Sequence, residues 1–293
     1  SYPGQSIQDL LSLDIPETQR PASRTVAEKL IRVSAFFRWC RITGSFIDTE
    51  PTEGVDIKSN SRSYAPFTNH DLKRLFLSSE YRQNRHRRLW QFWVPLVALY
   101  TGARQSEIAQ LMVEDIVQED GIWLFSITDF GEEQTIKTNA GIRKVPMSGI
   151  LIDLGFTDYV DYLRNQGVRR VFPDLERGSR SWGQRVSRWF NDTYRERCGI
   201  QPDPTGGRKV FHSFRHTAIT KALSANLPIQ HCQQVFGHER SILGETATYT
   251  HQFPVKSLIP VIEALDWGLN HRPHRDQWAG YIKGESREPL TTP

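Results

Sequence analysis

Residues 211–220 read FHSFRHTAIT, which places His212, Arg215 and His216 within five positions of an otherwise apolar pattern. Phe214, Ala218 and Leu223 mark the apolar side of a helix over 214–225 with Ser213 as its N-cap, so His212 precedes the helix and Arg215 stands in its first turn. Unpaired backbone N–H groups and the positive end of the dipole make such a terminus an anion site, and a guanidinium adds a planar fork for two phosphate oxygens. The rival chemistry is metal binding by His212 and His216, four residues apart. No glutamate follows His212 as in His-Glu-x-x-His, and a histidine pair alone is a thin ligand set, which leaves His216 structural.

Three further segments carry residues suited to anionic substrates. In TGARQSEIAQL (101–111) a Thr-Gly break precedes a helix that turns Ile108 and Leu111 inward and holds Arg104 and Glu107 on one side, near its start. Lys137 lies in QTIKTNAGIRKVPM, ahead of a turn at 139–141, where a lysine is ordinarily a guard on a sheet edge. In VFGHERSILGETATYTH, Gly237 ends a helix by a left-handed cap, His238 follows at once, and Tyr249 comes eleven residues later.

The elements that must position these groups are mostly helical. TVAEKLIRVSAFFRWC puts Val26, Leu30, Val33, Phe37 and Cys40 on one stripe, with Thr25 and Glu28 as a capping box. Turn formers fill 48–66, a linker, and a main domain starts near Phe67. Helices are expected over FTNHDLKRLFLSS, over RLWQFWVPLVALYTG with Pro95 as a kink or a new start, and at 157–166, 181–197, 214–225, 229–236 and 255–265. IWLFSIT, QTIKT and IRKVPM read as short strands, the last two joined at 139–141. The fold class is therefore mainly α with a small antiparallel β-sheet. The domains are expected at 1–58, the closing part of a helical domain with its linker, at 59–266, and a tail at 267–293.

Composition narrows the function. The chain has 293 residues and a formal net charge of +4, but residues 164–197 carry nine arginines against four acids, with Trp182, Trp189, Phe190 and Tyr194 interleaved. That local excess suits a polyanion, and Arg180, Arg185 and Arg188 are its candidate DNA contacts. Cys40, Cys198 and Cys232 are odd in number and far apart, which fits a reducing interior and offers neither a disulfide framework nor a zinc pattern. The longest apolar run, 92–100, is too short to span a bilayer. No phosphate-loop motif is present, so nucleotide hydrolysis is not expected.

In chain order, Arg104, Lys137, His212, Arg215, His238 and Tyr249 resemble the catalytic set of the tyrosine recombinases, the phage integrases and their relatives. The resemblance rests on TGARQSEIAQL, FHSFRHT, the Gly-His of 237–238 and TATYTH, and runs over 67–265. It extends more faintly to the helix at 25–40 and FIDTEPTEGV, the end of a core-binding domain. It implies that Arg104 and Arg215 clamp the scissile phosphate, that Tyr249 is the nucleophile of a 3′-phosphotyrosyl bond, and that Lys137 protonates the 5′-oxygen. His212 or a nearby base would take the phenol's proton, His238 would hydrogen-bond the phosphate, and Glu107 would orient its neighbours. The interval from His238 to Tyr249 is one or two residues longer than the family pattern.

The same resemblance implies a site-specific recombinase that integrates or excises a phage or genomic island. It would act without metal, ATP or other cofactor, as a homo-tetramer on double-stranded DNA attachment sites, with an accessory directionality factor, in the bacterial cytoplasm at the nucleoid and off the membrane. The alternatives are a type IB topoisomerase, a catalytically inactive DNA-binding protein of this fold, and a metal-dependent nuclease built on His212 and His216. Trp278 and Tyr281 in the tail are candidate subunit anchors.

Overall fold

The computed structural model describes residues 6, 8–9, 12–57, 63–83, 85–131, 133–136, 139–238 and 252–271. Lys137, Tyr249, Trp278 and Tyr281 lie outside the described residues. The chain forms two compact units, Ser1–Arg62 and Ser63–Pro293.

The first unit is organised on helix α1 (Ser23–Ile42). Val26, Leu30 and Phe37 are half-buried and Cys40 is buried, as their helical spacing requires. Val33 instead points outward, and Ile31, Phe36, Trp39 and Ile42 form a second, exposed apolar strip. The expected Thr25–Glu28 capping box does not form: the helix starts two residues earlier, at Ser23, and Glu28 accepts from Arg24 Nε at 2.9 Å.

The second unit opens with backbone pairing between Ser63–Ala65 and Arg208, through Arg208 N–H to Ser63 O (2.9 Å) and Ala65 N–H to Arg208 O (3.0 Å). The end of the turn-rich stretch is thus built into this unit. Helix α2 (Asn69–Phe76) starts at a reciprocal Thr68–Asp71 capping box, and a short α3 (Ser79–Arg82) follows. Helix α4 (Leu89–Thr101) is buried at every position except Gln91, which makes it the spine of the core. It runs through Pro95 without a break. Helix α5 (Gln105–Ala109) turns back at once.

The sheet has three antiparallel strands in sequence order, β1 (Ile116–Glu119), β2 (Ile122–Ile127) and β3 (Arg143–Pro146). It differs from expectation at one edge. Residues 134–136 of QTIKT form no strand: Thr135 N–H donates to Gln110 Oε1 at 3.2 Å and Thr135 O accepts from Gln110 Nε2 at 3.0 Å, so one side chain takes up both backbone groups a ladder would use. The strand beside β2 is β1, joined to it by a two-residue turn at Asp120 (φ 48°) and Gly121 (φ 79°), and Asp-Gly is a preferred sequence for such a turn. Residues 139–141 form a single 3₁₀ turn.

The remaining helices are α6 (Gly149–Asp153), α7 (Phe156–Asn165), α8 (Gly183–Trp189), α9 (Arg195–Arg197), α10 (Ser213–Ser224), α11 (Ile229–Phe236) and α12 (Val255–Glu263). A π-helical turn at Phe190–Tyr194 joins α8 to α9. The class is mainly α with a small antiparallel sheet. Among the described residues, no helix is long and apolar enough to cross a membrane.

Candidate active site

The site is built where α4 and α5, β3, α10 and α11 meet. Gly102 ends α4 with φ 63°, and a Cβ there would lie 2.6 Å from the Phe236 ring, so glycine serves both the chain reversal and the approach of α11. Arg104 then occupies the N-cap of α5. Glu107, 3% exposed, accepts from Arg104 N–H at 2.9 Å, from Arg104 Nη1 at 2.6 Å and from Arg143 Nη2 at 3.0 Å. Burial pushes the Glu107 pKa up, but the charges and hydrogen bonds of Arg143 and Arg104 outweigh it and hold the carboxyl below its ordinary value.

The C-terminal end of α11 organises the rest. A helix leaves its last carbonyls unpaired. Here His238 N–H donates to Gln233 O (2.9 Å) and Gly237 N–H to Gln234 O (3.2 Å), a Schellman closure with Gly237 at φ 63°. The next three carbonyls each accept from a different arginine. Arg143 Nε reaches Val235 O at 2.8 Å, Arg215 Nη2 reaches Phe236 O at 2.5 Å, and Arg104 Nη2 reaches Gly237 O at 3.2 Å. Cations at the negative end of a helix dipole are favourable, and the three acceptors fix the guanidiniums relative to one another. Arg215, 5% exposed, also donates from Nη1 to Gly102 O at 2.8 Å.

Three guanidiniums thus gather around one carboxylate. Burial, with Arg104 and Arg143 beside it, brings the Arg215 pKa down to about 9, partly opposed by Glu107. The group remains a cation at neutral pH, in a site with a surplus of positive charge that an anion would relieve. His212 sits at the N-cap of α10 with a helical backbone and no side-chain capping bond. This corrects the expected cap: Ser213 is the first helical residue, and its Oγ accepts from Val210 N–H at 3.0 Å. Burial, then His216, Arg215 and Arg104, lower the His212 pKa to about 4. Partial burial, then Arg215, Arg104 and Arg143, bring His238, which keeps an exposed face, to about 4 as well. Both imidazoles are neutral at pH 7, able to accept one hydrogen bond and donate another.

A cavity of about 430 Å³ opens onto Arg104 and His212, with Tyr64, Ser187, Asn191 and Arg208 on its walls. Arg215 and His238 are not among its lining residues. The π turn brings Asn191 to the segment before α10, where its Oδ1 accepts from Phe211 N–H at 2.9 Å while its Nδ2 donates to Ser187 Oγ at 3.0 Å. π turns recur at functional sites because the extra residue re-aims its neighbours. Arg180, Arg185 and Arg188 are exposed before and along α8 but do not line the cavity, and Arg185 pairs with Glu176.

The structure thus brings Arg104, Glu107, His212 and Arg215 together with His238 at their edge. It also adds residues outside the expected set. Arg143 was readable from strand alternation, since it shares the buried side of β3 with Val145. Tyr64, Asn191 and Arg208 carried no local signal. His216 stacks edge to face on His212 at 5.1 Å. Among the described residues no group of three or more His, Cys, Asp or Glu side chains could hold a metal ion.

Residues 66–255, well over half the chain, match the phage integrase family. The prophage integrase IntR of Escherichia coli (strain K12) is 33% identical over 147 residues, which cover 47% of this chain and 33% of that protein. The probable integrase/recombinase protein MJ0367 of Methanocaldococcus jannaschii is 24% identical over 151 residues, 52% of this chain and 42% of that one. The matches therefore span well under half the length of these relatives. Among solved structures, the Tn1549 transposon integrase bound to a circular-intermediate DNA superposes with a TM-score of 0.54 at 16% identity, over 85% of this chain and 82% of that chain. A lambda integrase tetramer bound to a Holliday junction gives 0.52 at 18% identity, over 80% and 62%. At these identities the likeness is one of fold, and the fold is that of tyrosine recombinase catalytic domains. With the family matched across most of its second unit, this chain belongs to the phage integrase family of tyrosine recombinases.

Proposed function

We propose that the chain is a site-specific DNA recombinase, the integrase of a phage or genomic island, which cleaves and rejoins DNA through a 3′-phosphotyrosyl intermediate. The observation that carries this reading is the gathering of Arg104, Arg143 and Arg215 on three successive carbonyls of α11, beside neutral His212 and His238. A phosphodiester gains negative charge on its non-bridging oxygens as it is attacked, and guanidiniums held in place beforehand stabilise that charge without reorganising.

In the proposed reaction the Tyr249 oxygen attacks phosphorus. The bond from phosphorus to the 5′-oxygen breaks, and that oxygen leaves as a hydroxyl after taking a proton from Lys137. His212 accepts the phenol's proton; it is unprotonated at neutral pH, and the negative charge of a bound phosphate would offset the neighbouring cations that lower its pKa and so strengthen it as a base. The phosphotyrosyl bond conserves the energy of the phosphodiester, so religation by a 5′-hydroxyl reverses every step without nucleotide or metal. Connectivity supports the nucleophile. Gln252, three residues beyond Tyr249 in the sequence, donates from Nε2 to Ile142 O at 3.2 Å, next to Arg143. Tyr81, Tyr159 and Tyr194 are buried with their hydroxyls donated to carbonyls, and Tyr100 is bonded to His271. Tyr64 is the described tyrosine on the cavity wall.

The partners in this reading are double-stranded attachment sites and three further copies of the chain, with an accessory factor setting direction. The first unit contributes the closing helix of a core-binding domain. The test is covalent trapping on nicked duplexes carrying candidate attachment sequences, in EDTA, resolved on a denaturing gel. An adduct that maps to the Tyr249 peptide, is lost in Tyr249→Phe and survives in Tyr64→Phe is expected. An adduct that persists in Tyr249→Phe sinks the assignment. Supercoil relaxation without joining of paired sites would make the enzyme a topoisomerase instead.

A further inference from the structure

Segment 207–210 alternates in its burial: Gly207 and Lys209 face inward, Arg208 outward. The two neighbouring cations have opposite fates. Lys209, 5% exposed, donates from Nζ to Asp71 Oδ2 at 2.7 Å, the same carboxylate oxygen that caps α2. Arg208 is exposed into the cavity, and among the described residues its guanidinium has neither a carboxylate nor a hydrogen-bond acceptor. Yet its backbone is firmly held, by the paired bonds to Ser63 and Ala65. Its Cζ lies 5.4 Å from the centre of the Tyr64 ring, and the His212 imidazole packs edge-on to the same ring at 5.5 Å. One aromatic ring therefore neighbours both the unspent guanidinium and a candidate catalytic histidine.

We propose that Arg208 is a phosphate-binding residue that holds the phosphodiester adjoining the reacting one on the same strand, with Tyr64 as its support. Arg104, His212, Ser187, Asn191 and Arg208 all line the same cavity. A strand with its reacting phosphate at Arg104 and His212 carries further charges on either side, and Arg208 is placed on that cavity's wall to receive a neighbouring one. A fork resting on an aromatic face is partly oriented before DNA arrives, which lowers the entropy lost on binding. Arg208 binds and registers the strand rather than the reacting atoms, so its contribution falls on binding.

This inference rests on the recombinase reading, and the test separates the two. Wild type, Arg208→Ala and Arg208→Lys are compared on nicked duplexes in which single phosphates near the cleaved position are replaced, one at a time, by neutral methylphosphonate. On unmodified DNA, Arg208→Ala is expected to raise KM for adduct formation about tenfold with little change in kcat, and to reduce the salt slope of binding by about one. Arg208→Lys recovers part of the loss. One methylphosphonate, next to the cleaved phosphate, should cost the wild type that same factor and cost Arg208→Ala nothing further. If no position masks the substitution, or the salt slope is unchanged, the assignment of Arg208 is wrong while the recombinase reading stands. A wild type that neither binds these duplexes nor forms an adduct overturns both.

Discussion

At the scale of single residues, the site is governed by how few acceptors serve how many cations. Among the described residues Glu107 is the one carboxylate bonded to this group of arginines, to Arg104 and Arg143, and it has almost no exposure. A buried ion pair stripped of one charge leaves the other unpaired in a low dielectric, which costs roughly 3 kcal/mol or more. Glu107→Gln keeps the size and one acceptor oxygen but removes the charge, so urea unfolding should show a loss of about 3 kcal/mol. A loss below about 0.5 kcal/mol would mean that the carbonyls of α11 suffice to hold Arg143. Arg104 and Arg215 were legible as residue types at their spacing. Glu107's double partnership was not, because Arg143 lies thirty-six positions away and only the fold brings it near.

The elements show where sequence patterns speak and where they fall silent. Helical spacing identified α10, α11 and α12 because each hides one apolar face, a continuous apolar run identified α4, which is buried at every position but Gln91, and β2 and β3 were read from short strand-forming runs. The strand β1 was missed although its turn, Asp120-Gly121, stood in the sequence, since four residues of mixed polarity give too short a pattern to read. QTIKT has the composition of a strand but loses its ladder to the side chain of Gln110, a tertiary effect. The Schellman end of α11 was readable from Gly237, and its functional weight comes from the arginines that converge there. A Cβ at Gly237 would stand 2.7 Å from Arg143 Nη1 and 3.1 Å from Ala140 O, besides requiring φ 63°. At Gly206, with φ 84°, a Cβ meets nothing within 4 Å. Gly206→Ala should therefore cost only the conformational penalty of about 1–2 kcal/mol. Gly237→Ala should cost clearly more and lower adduct yield by displacing three guanidiniums. Equal melting temperatures for the two variants would show that the α11 end yields without consequence.

Across the whole molecule, several histidines are held in their neutral form. Burial, then Arg197, lowers the His86 pKa to about 3, and burial lowers that of His271 to about 4, as it does for His212 and His238 among their arginines. Each group's folded pKa lies below the ordinary value of 6.5, so the sign is fixed. Above pH 6.5 both folded and unfolded chains leave these rings neutral, and the contribution to stability is complete. Below it the unfolded chain binds protons that the folded chain refuses, and stability falls until the folded pKa is reached. Glu80, beside His86, and Asp115 and Asp174 have pKa values raised by burial and work in the opposite sense, nearer the carboxylate range. The clean window is therefore pH 6.5 to about 5.5. His86, 3% exposed among Tyr81, Phe92, Trp189 and Tyr194, is the least screened of the set. Fully titrating one such histidine changes the slope by about 1.4 kcal/mol per pH unit. Unfolding free energy measured by urea across that window should decline with falling pH, and His86→Phe should flatten the decline by roughly one proton even if it lowers stability overall. An unchanged slope in His86→Phe would move the source of acid sensitivity from the core to the histidines that ring the cavity, where bound DNA should suppress it.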